Sequence, residues 1–274
     1  MQRLGSIQLG VFALLLCVPR AQAETSITHP FRGITLHQRT EKSPRPLRIN
    51  VVEIDLHAPG VHFRVTPPNG DLPGETTAQT TRDFMIEQGA QLAINASFYK
   101  SVKWPYLDSA GLVASDGVVY SEPTKFPALN ISRDNVASIL PPGKQTSAEP
   151  YNAVAGNAVI LRGGKNVAKD KDLHPRTAVG IAPGHKLFIL IVDGRQDLIS
   201  EGMTTIEVAD VLREYGCTDA LNLDGGGSTT LAVADPSPRL INTPIGSGKI
   251  RGSQRKNAVN LVVFAEPLAV TAAK

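Results

Sequence analysis

Apolar and polar positions alternate along much of the chain, and that two-residue period predicts a strand-rich protein. Leu47, Ile49, Val51, Ile54 and Leu56 form one such run, ended by Pro59-Gly60. Val61, Phe63 and Val65 follow as the expected antiparallel partner across the turn. Further strands are predicted over 90–95, 111–119, 128–132, 136–140, 157–161, 177–182, 186–192, 219–223, 229–234 and 257–264, many bounded by Gly, Pro, Asn or Asp. Two segments carry a helical period instead. Val208, Val211, Leu212 and Tyr215 fall on one stripe, with Thr204 and Glu207 as a capping box at its start and Gly216 as its stop. The segment Thr80 to Gln88 holds Phe84 and Met85 and stops at Gly89. The pattern predicts an α+β fold of strand-rich mixed sheets with two main helices.

These helices share a longer plan: a Thr-Thr pair, a helix, a Gly stop and a strand ending at Asn. It occurs as Thr80-Thr81, Gly89 and Asn95, and again as Thr204-Thr205, Gly216 and Asn222, with the same interval from Gly to Asn. A pseudo-twofold repeat of helix–strand units would put Asn95 and Asn222 at equivalent strand ends facing one cleft. A chance match between two short units is the competing account.

The first residues change the picture of where the protein works. Arg3, an apolar run from Leu9 to Val18 and Ala21-Gln22-Ala23 read as an export signal over 1–23, cleaved after Ala23. A periplasmic or secreted protein is therefore expected. The rest divides into a polar lead-in over 24–46, with Pro44 and Pro46, and one catalytic-type domain over 47–274. No later stretch approaches the ~20 apolar residues of a membrane span, so membrane insertion is not expected. Taking Arg3 and Arg20 from the 28 basic residues leaves 26 against 25 acidic ones, which gives no electrostatic case for nucleic acid. Cys217 is then the lone thiol, read as a small buried hydrophobe rather than a disulfide partner.

Candidate chemistry gathers where apolar strands meet polar loops. In Asn222-Leu-Asp-Gly-Gly-Gly-Ser228 an acid, Asp224, stands beside Gly225, Gly226 and Gly227, whose N–H groups are unobstructed by side chains and suited to an anion. Asp193 ends the apolar run Leu187 to Val192, either as a site acid or as part of an Asp-Gly turn. Arg176 and Arg195 offer planar forks for phosphate, or for structural ion pairs. His174 is a candidate proton shuttle or a surface-loop histidine. Glu207 is a reserve catalytic acid whose capping box gives it another job. Asn95 and Ser97 sit at another strand end. Lys249, Arg251, Arg255 and Lys256, set among Gly246, Gly248 and Gly252, read first as a solvated loop and second as a polyanion contact. No metal-ligand or nucleotide-loop motif occurs, so no metal or cofactor is expected.

Pro175-Arg-Thr-Ala-Val-Gly180, Val192-Asp-Gly-Arg195, Gly202-Met-Thr-Thr-Ile-Glu207 and Asn222-Leu-Asp-Gly-Gly-Gly-Ser228, in that order, resemble the phosphodiester glycosidase family. The resemblance covers about residues 75 to 264. One segment departs: where the family commonly has Asn-Gly-Gly, this chain has Asn95-Ala96-Ser97, whose side chains are expected to narrow that loop. The resemblance implies hydrolysis of a sugar-1-phosphodiester, or of a phosphorylated glycan of the cell envelope or outside the cell. In that reading Asp193 and Asp224 are the carboxylate pair, with Glu207 and His174 in support. Asn95, Ser97, Arg176, Arg195, Asn222, Gly225, Gly226, Gly227 and Ser228 would bind the substrate. The rivals are metal-dependent phosphodiester cleavage through Asp193, Asp224 and His174, and a non-catalytic glycan-binding module using Phe98, Tyr99, Trp104 and Tyr106.

Overall fold

The computed structural model describes residues 24–143 and 149–268, so the export signal expected over 1–23 lies outside the described residues. An eight-stranded sheet forms the backbone of the molecule. Its order is Glu24–Phe31, Ile34–Glu41, Leu47–Asp55, Lys186–Val192, Arg176–Ala182, Asp219–Asn222, Ala158–Arg162 and Lys165–Asn166. Lys186–Val192 is central and buried on both faces. Leu187, Ile189 and Ile191 enter one core while Phe188, Leu190 and Val192 enter another, which is why its sequence is a continuous apolar run.

The first core fills the space between this sheet and two five-stranded sheets, joining Val52, Ile54 and Leu221 to Ile94, Leu231, Leu261 and Leu129. The second core lies under helix α2 (Thr205–Glu214), whose Val208, Val211 and Leu212 cover Phe188, Leu190 and Ala220. Thr204 caps that helix with the full capping box. Helix α1 (Thr81–Gln88) is capped by Thr80, ends at left-handed Gly89, and packs Phe84 and Met85 on Ala93, Ala232 and Val262 of a five-stranded sheet.

Several expectations are revised. The paired strands are antiparallel, not mixed. Parallel pairs need long, usually helical crossovers, and this chain has two helices among the described residues. Leu47–Asp55 does not pair with His62–Val65. The turn at Pro59-Gly60 carries the chain between sheets, and His62–Val65 joins Asn260–Phe264 instead. Ile54 and Phe63, one from each strand, belong to one core. Residues 24–41, read as part of a loose lead-in, form a hairpin on the edge of the large sheet. The strand expected over 111–119 is split by a turn at Asp116-Gly117, both with positive φ.

The two Thr–helix–Gly–strand–Asn units both form, yet no repeat of the sheets accompanies them. Leu92–Asn95 lies between Leu231–Ala234 and Asn260–Phe264, and Asp219–Asn222 between Arg176–Ala182 and Ala158–Arg162. Their ends nevertheless meet at one loop, because Asn95 Nδ2 donates to the Asp224 carbonyl at 2.6 Å.

Candidate active site

Strand ends and the glycine loop enclose a polar cavity of about 300 Å³ lined by Phe98, Asn157, Asp170, His174, Pro175, Arg176, Arg195, Asn222, Asp224, Gly225, Gly226, Gly227 and Arg255. Asp224 follows the strand Asp219–Asn222, and its N–H donates to Ala96 O at 2.9 Å. Burial pushes its carboxyl from 3.8 up to about 6, while Ser228, the Arg255 charge and the Gly225 N–H pull the other way. At neutral pH this acid is mostly ionised, with its midpoint about one pH unit below.

Two guanidinium groups face it with little spent on the protein. Arg195 Nη2 donates to His174 Nδ1 at 3.0 Å, and Arg255 reaches Ser228 Oγ at 3.4 Å and Ser247 Oγ at 3.2 Å. Among the described residues, neither is in contact with a carboxylate. Arg195 also holds a left-handed backbone, φ 56°, which costs a non-glycine residue about 1 kcal/mol or more. A guanidinium can only donate, so His174 Nδ1 carries the lone pair and Nε2 the proton. Burial, Arg195 and Arg176 hold the His174 pKa below its ordinary value, which keeps the ring neutral.

Arg176 differs from Arg195. It is buried, with Nε on Met203 O at 2.8 Å and Nη2 on Asp170 Oδ2 at 3.0 Å and Asp172 O at 2.6 Å. Its fork fastens the 170–174 loop to the start of α2.

The glycines serve close packing more than an open cradle. A Cβ on Gly225 would lie 2.6 Å from Pro175 O, and one on Gly227 would collide with the Gly246 carbonyl. The Gly226 N–H already donates to Pro175 O at 2.9 Å, and those of Ser228 and Thr229 turn back into the loop. Asn222 Nδ2 donates to Asn157 Oδ1 at 2.8 Å, while its buried Oδ1 has no partner among the described residues. Such an acceptor is costly unless a ligand or water meets it.

The other candidates lie elsewhere or are occupied. Asp193 belongs to a separate cavity with Arg48, Asn50 and Thr243. Its carboxylate accepts from Asn242 Nδ2 at 3.0 Å and from Thr243 N at 3.0 and 3.1 Å. The expected Asp193–Asp224 pair is thus divided between two cavities, and so is the Asp193–Asp224–His174 trio of the metal-dependent reading. Among the described residues no group of three or more His, Cys, Asp or Glu is arranged to hold a metal ion. Glu207 pairs with Arg45 at 2.6 Å and closes the capping box. Asn95 is wholly buried, its Oδ1 accepting from Thr177 Oγ1 at 2.9 Å and Thr230 N at 3.0 Å. Ser97 Oγ accepts from Ala155 N at 3.0 Å and Ala96 lies in the core, so neither narrows the cavity. Phe98 lines it instead.

The sequence does not point to Asp170 and Asn157, and it offers Arg255 only as a polyanion contact second to a solvated loop. Asp170 lies in the charge run Lys169-Asp-Lys-Asp172. Asn157 carried no signal of its own.

Fold and relatives narrow the class. The fold matches the catalytic domain of zebrafish N-acetylglucosamine-1-phosphodiester alpha-N-acetylglucosaminidase, a domain auto-inhibited by its pro-peptide, with a TM-score of 0.65 and 19% identity over 92% of this chain and 85% of that one. A hypothetical protein from Synechocystis matches with a TM-score of 0.55 and 15% identity, over 85% of this chain and 62% of that one. In sequence, the SPbeta prophage-derived uncharacterized protein YomE of Bacillus subtilis (strain 168) is 28% identical over 187 residues, 61% of this chain. The chain spans 28% of that relative's length. Residues 88–264 match the phosphodiester glycosidase family, a family of hydrolases, and the chain belongs to it.

Proposed function

We propose that this protein hydrolyses the bond between a sugar's anomeric carbon and a phosphodiester oxygen, releasing a free sugar and a phosphomonoester. The observation that carries this reading is one cavity lined by the buried carboxylate of Asp224 together with Arg195 and Arg255, neither of which is paired with a carboxylate among the described residues. The two arginines hold the phosphodiester and stabilise the charge that builds on the departing oxygen. A phosphate that departs as an anion needs little help from a strong acid. Asp224 takes the proton from a water attacking the anomeric carbon, and the electrons of the broken C–O bond leave with the phosphate. His174 Nε2–H donates to a phosphate oxygen. The Asn157 and Asn222 amides and the Phe98 ring receive the sugar.

The substrate class is an envelope or extracellular glycan bearing sugar-1-phosphodiesters. The export signal read at 1–23 supports action in the periplasm or outside the cell, and cell fractionation tests it. The direct test of the reaction is incubation with sugar-1-phosphodiesters, scoring free sugar and phosphomonoester in equal amounts. Phosphate chain cleavage without free sugar, or binding without turnover, would overturn the reading.

A further inference from the structure

A second cavity, of about 480 Å³, adjoins the first, and Asn157 and Asp170 line both. Its floor comes from the strand Ala158–Arg162 and the segment that runs back beside it, where Val167 N–H donates to Ile160 O at 3.0 Å. Ala158, Val159, Val167 and Ala168 make an aliphatic wall beside the fully buried Ile160, and Val167 is 41% exposed although apolar. Arg162 and Lys169 stand on the same cavity, exposed. Among the described residues, neither is in an ion pair. Asp170, the acid nearest Lys169 in the chain, is committed to Arg176. An uncompensated positive charge therefore lies beside an apolar shelf, continuous with the site of reaction.

We propose that this groove is a glycan subsite that takes an acidic pyranose residue adjoining the reacting sugar. The inference rests on the reaction proposed above, because it assigns the residue next to the sugar whose anomeric bond is cleaved. A pyranose ring has C–H faces and polar edges. Its face lies on the valine and alanine wall, and its carboxylate meets the fork of Arg162 and the ammonium of Lys169. An acyl chain would leave both cations against hydrocarbon. The substrate is then an anionic polymer read on both sides of Asn157: the reacting sugar in the Asp224 cavity, and the acidic residue in the groove.

Binding tests this without turnover. Calorimetric titration of wild-type protein with tetragalacturonate, which has no phosphodiester, should show binding that neutral maltotetraose does not match. Arg162→Ala/Lys169→Ala should weaken tetragalacturonate by about tenfold with an unchanged melting temperature. Val167→Glu, which sets a like charge on the wall, should weaken it as well. Failure of the wild type to bind, equal binding of the two tetrasaccharides, or equal affinity in the charge-removed variant would overturn the subsite. Hydrolysis of a methyl sugar-1-phosphodiester by the wild type tests the reaction separately, so either reading can fall alone.

Discussion

Asp224→Asn separates what this acid does for the fold from what it does in the cavity. Burial raises its carboxyl from 3.8 to about 6, a rise equivalent to roughly 3 kcal/mol against folding when the group is ionised. The sign follows from which state holds the proton more tightly. Here the folded state does, so the penalty is complete above pH 6, shrinks as pH falls from 6 towards 3.8, and vanishes below that. Asparagine keeps an acceptor for the Gly225 N–H and carries no charge. Allowing for a weaker contact with Ser228, the variant should be more stable than wild type by about 2 kcal/mol at pH 7.5, or roughly 5 °C in melting temperature for a protein of this size. Near pH 4.5 the gain should largely disappear. The same variant should lose about 100-fold or more in kcat on a sugar-1-phosphodiester, the scale of a lost general base. Scanning calorimetry at the two pH values and steady-state kinetics make the comparison. A variant less stable than wild type at pH 7.5, a gain that does not shrink in acid, or near-normal turnover would rule out a buried, ionised Asp224 acting as the base.

Other consequences can be measured on the same preparations. As the base, Asp224 should give a kcat/KM that rises with pH through about 6, and a falling limb there would make it the acid instead. Arg195→Ala should reduce kcat/KM by about 100-fold, and should raise the His174 pKa followed by NMR titration, because a repelling charge has gone. Asp193→Asn should hold kcat/KM within about tenfold of wild type, and a loss as large as that of Asp224→Asn would return Asp193 to the chemistry. Gly227→Ala should cost about 2 kcal/mol or more in urea unfolding, since its methyl has no room against Gly246 O.

Much of the architecture was legible because the signals were local. The capping box at Thr204, the stripe through Val208 and Leu212 and the apolar run at Leu187 to Val192 each depend on neighbours within a few residues. The errors came where pairing is decided at a distance. Val61, Phe63 and Val65 alternate correctly for a strand, but nothing in that alternation says whether Pro59-Gly60 folds a hairpin or crosses to another sheet. Residues 24–41 looked polar because the outer strand Glu24–Phe31 is mostly exposed, while its neighbour buries Ile34 and Leu36. The glycine loop showed its missing side chains in the sequence. It did not show that Pro175 O and Gly246 O fill the space they leave.

The same limit explains how the candidate acids and arginines divided. Asp193 and Asp224 have the same sequence signature, an aspartate at the end of an apolar strand, and burial raises both to about 6. A perturbed pKa therefore does not tell them apart, but their hydrogen bonds do. Asp193 is engaged by Asn242 and Thr243, some fifty residues away, and its carboxylate holds that segment in place. Asp224 is met by the Ser228 hydroxyl and the Gly225 N–H of its own loop, and looks across a cavity at cations. Arg176 and Arg195 split the same way, one with its fork committed to Met203, Asp170 and Asp172, the other reaching His174 alone among the described residues. Folding favours polar groups whose bonds are met within the protein, so groups left with donors and acceptors to spare at a strained backbone are held there at a cost in stability. That cost is what a bound substrate would offset. It is also why replacing Asp224, unlike removing a core contact, should strengthen the fold while it stops the reaction.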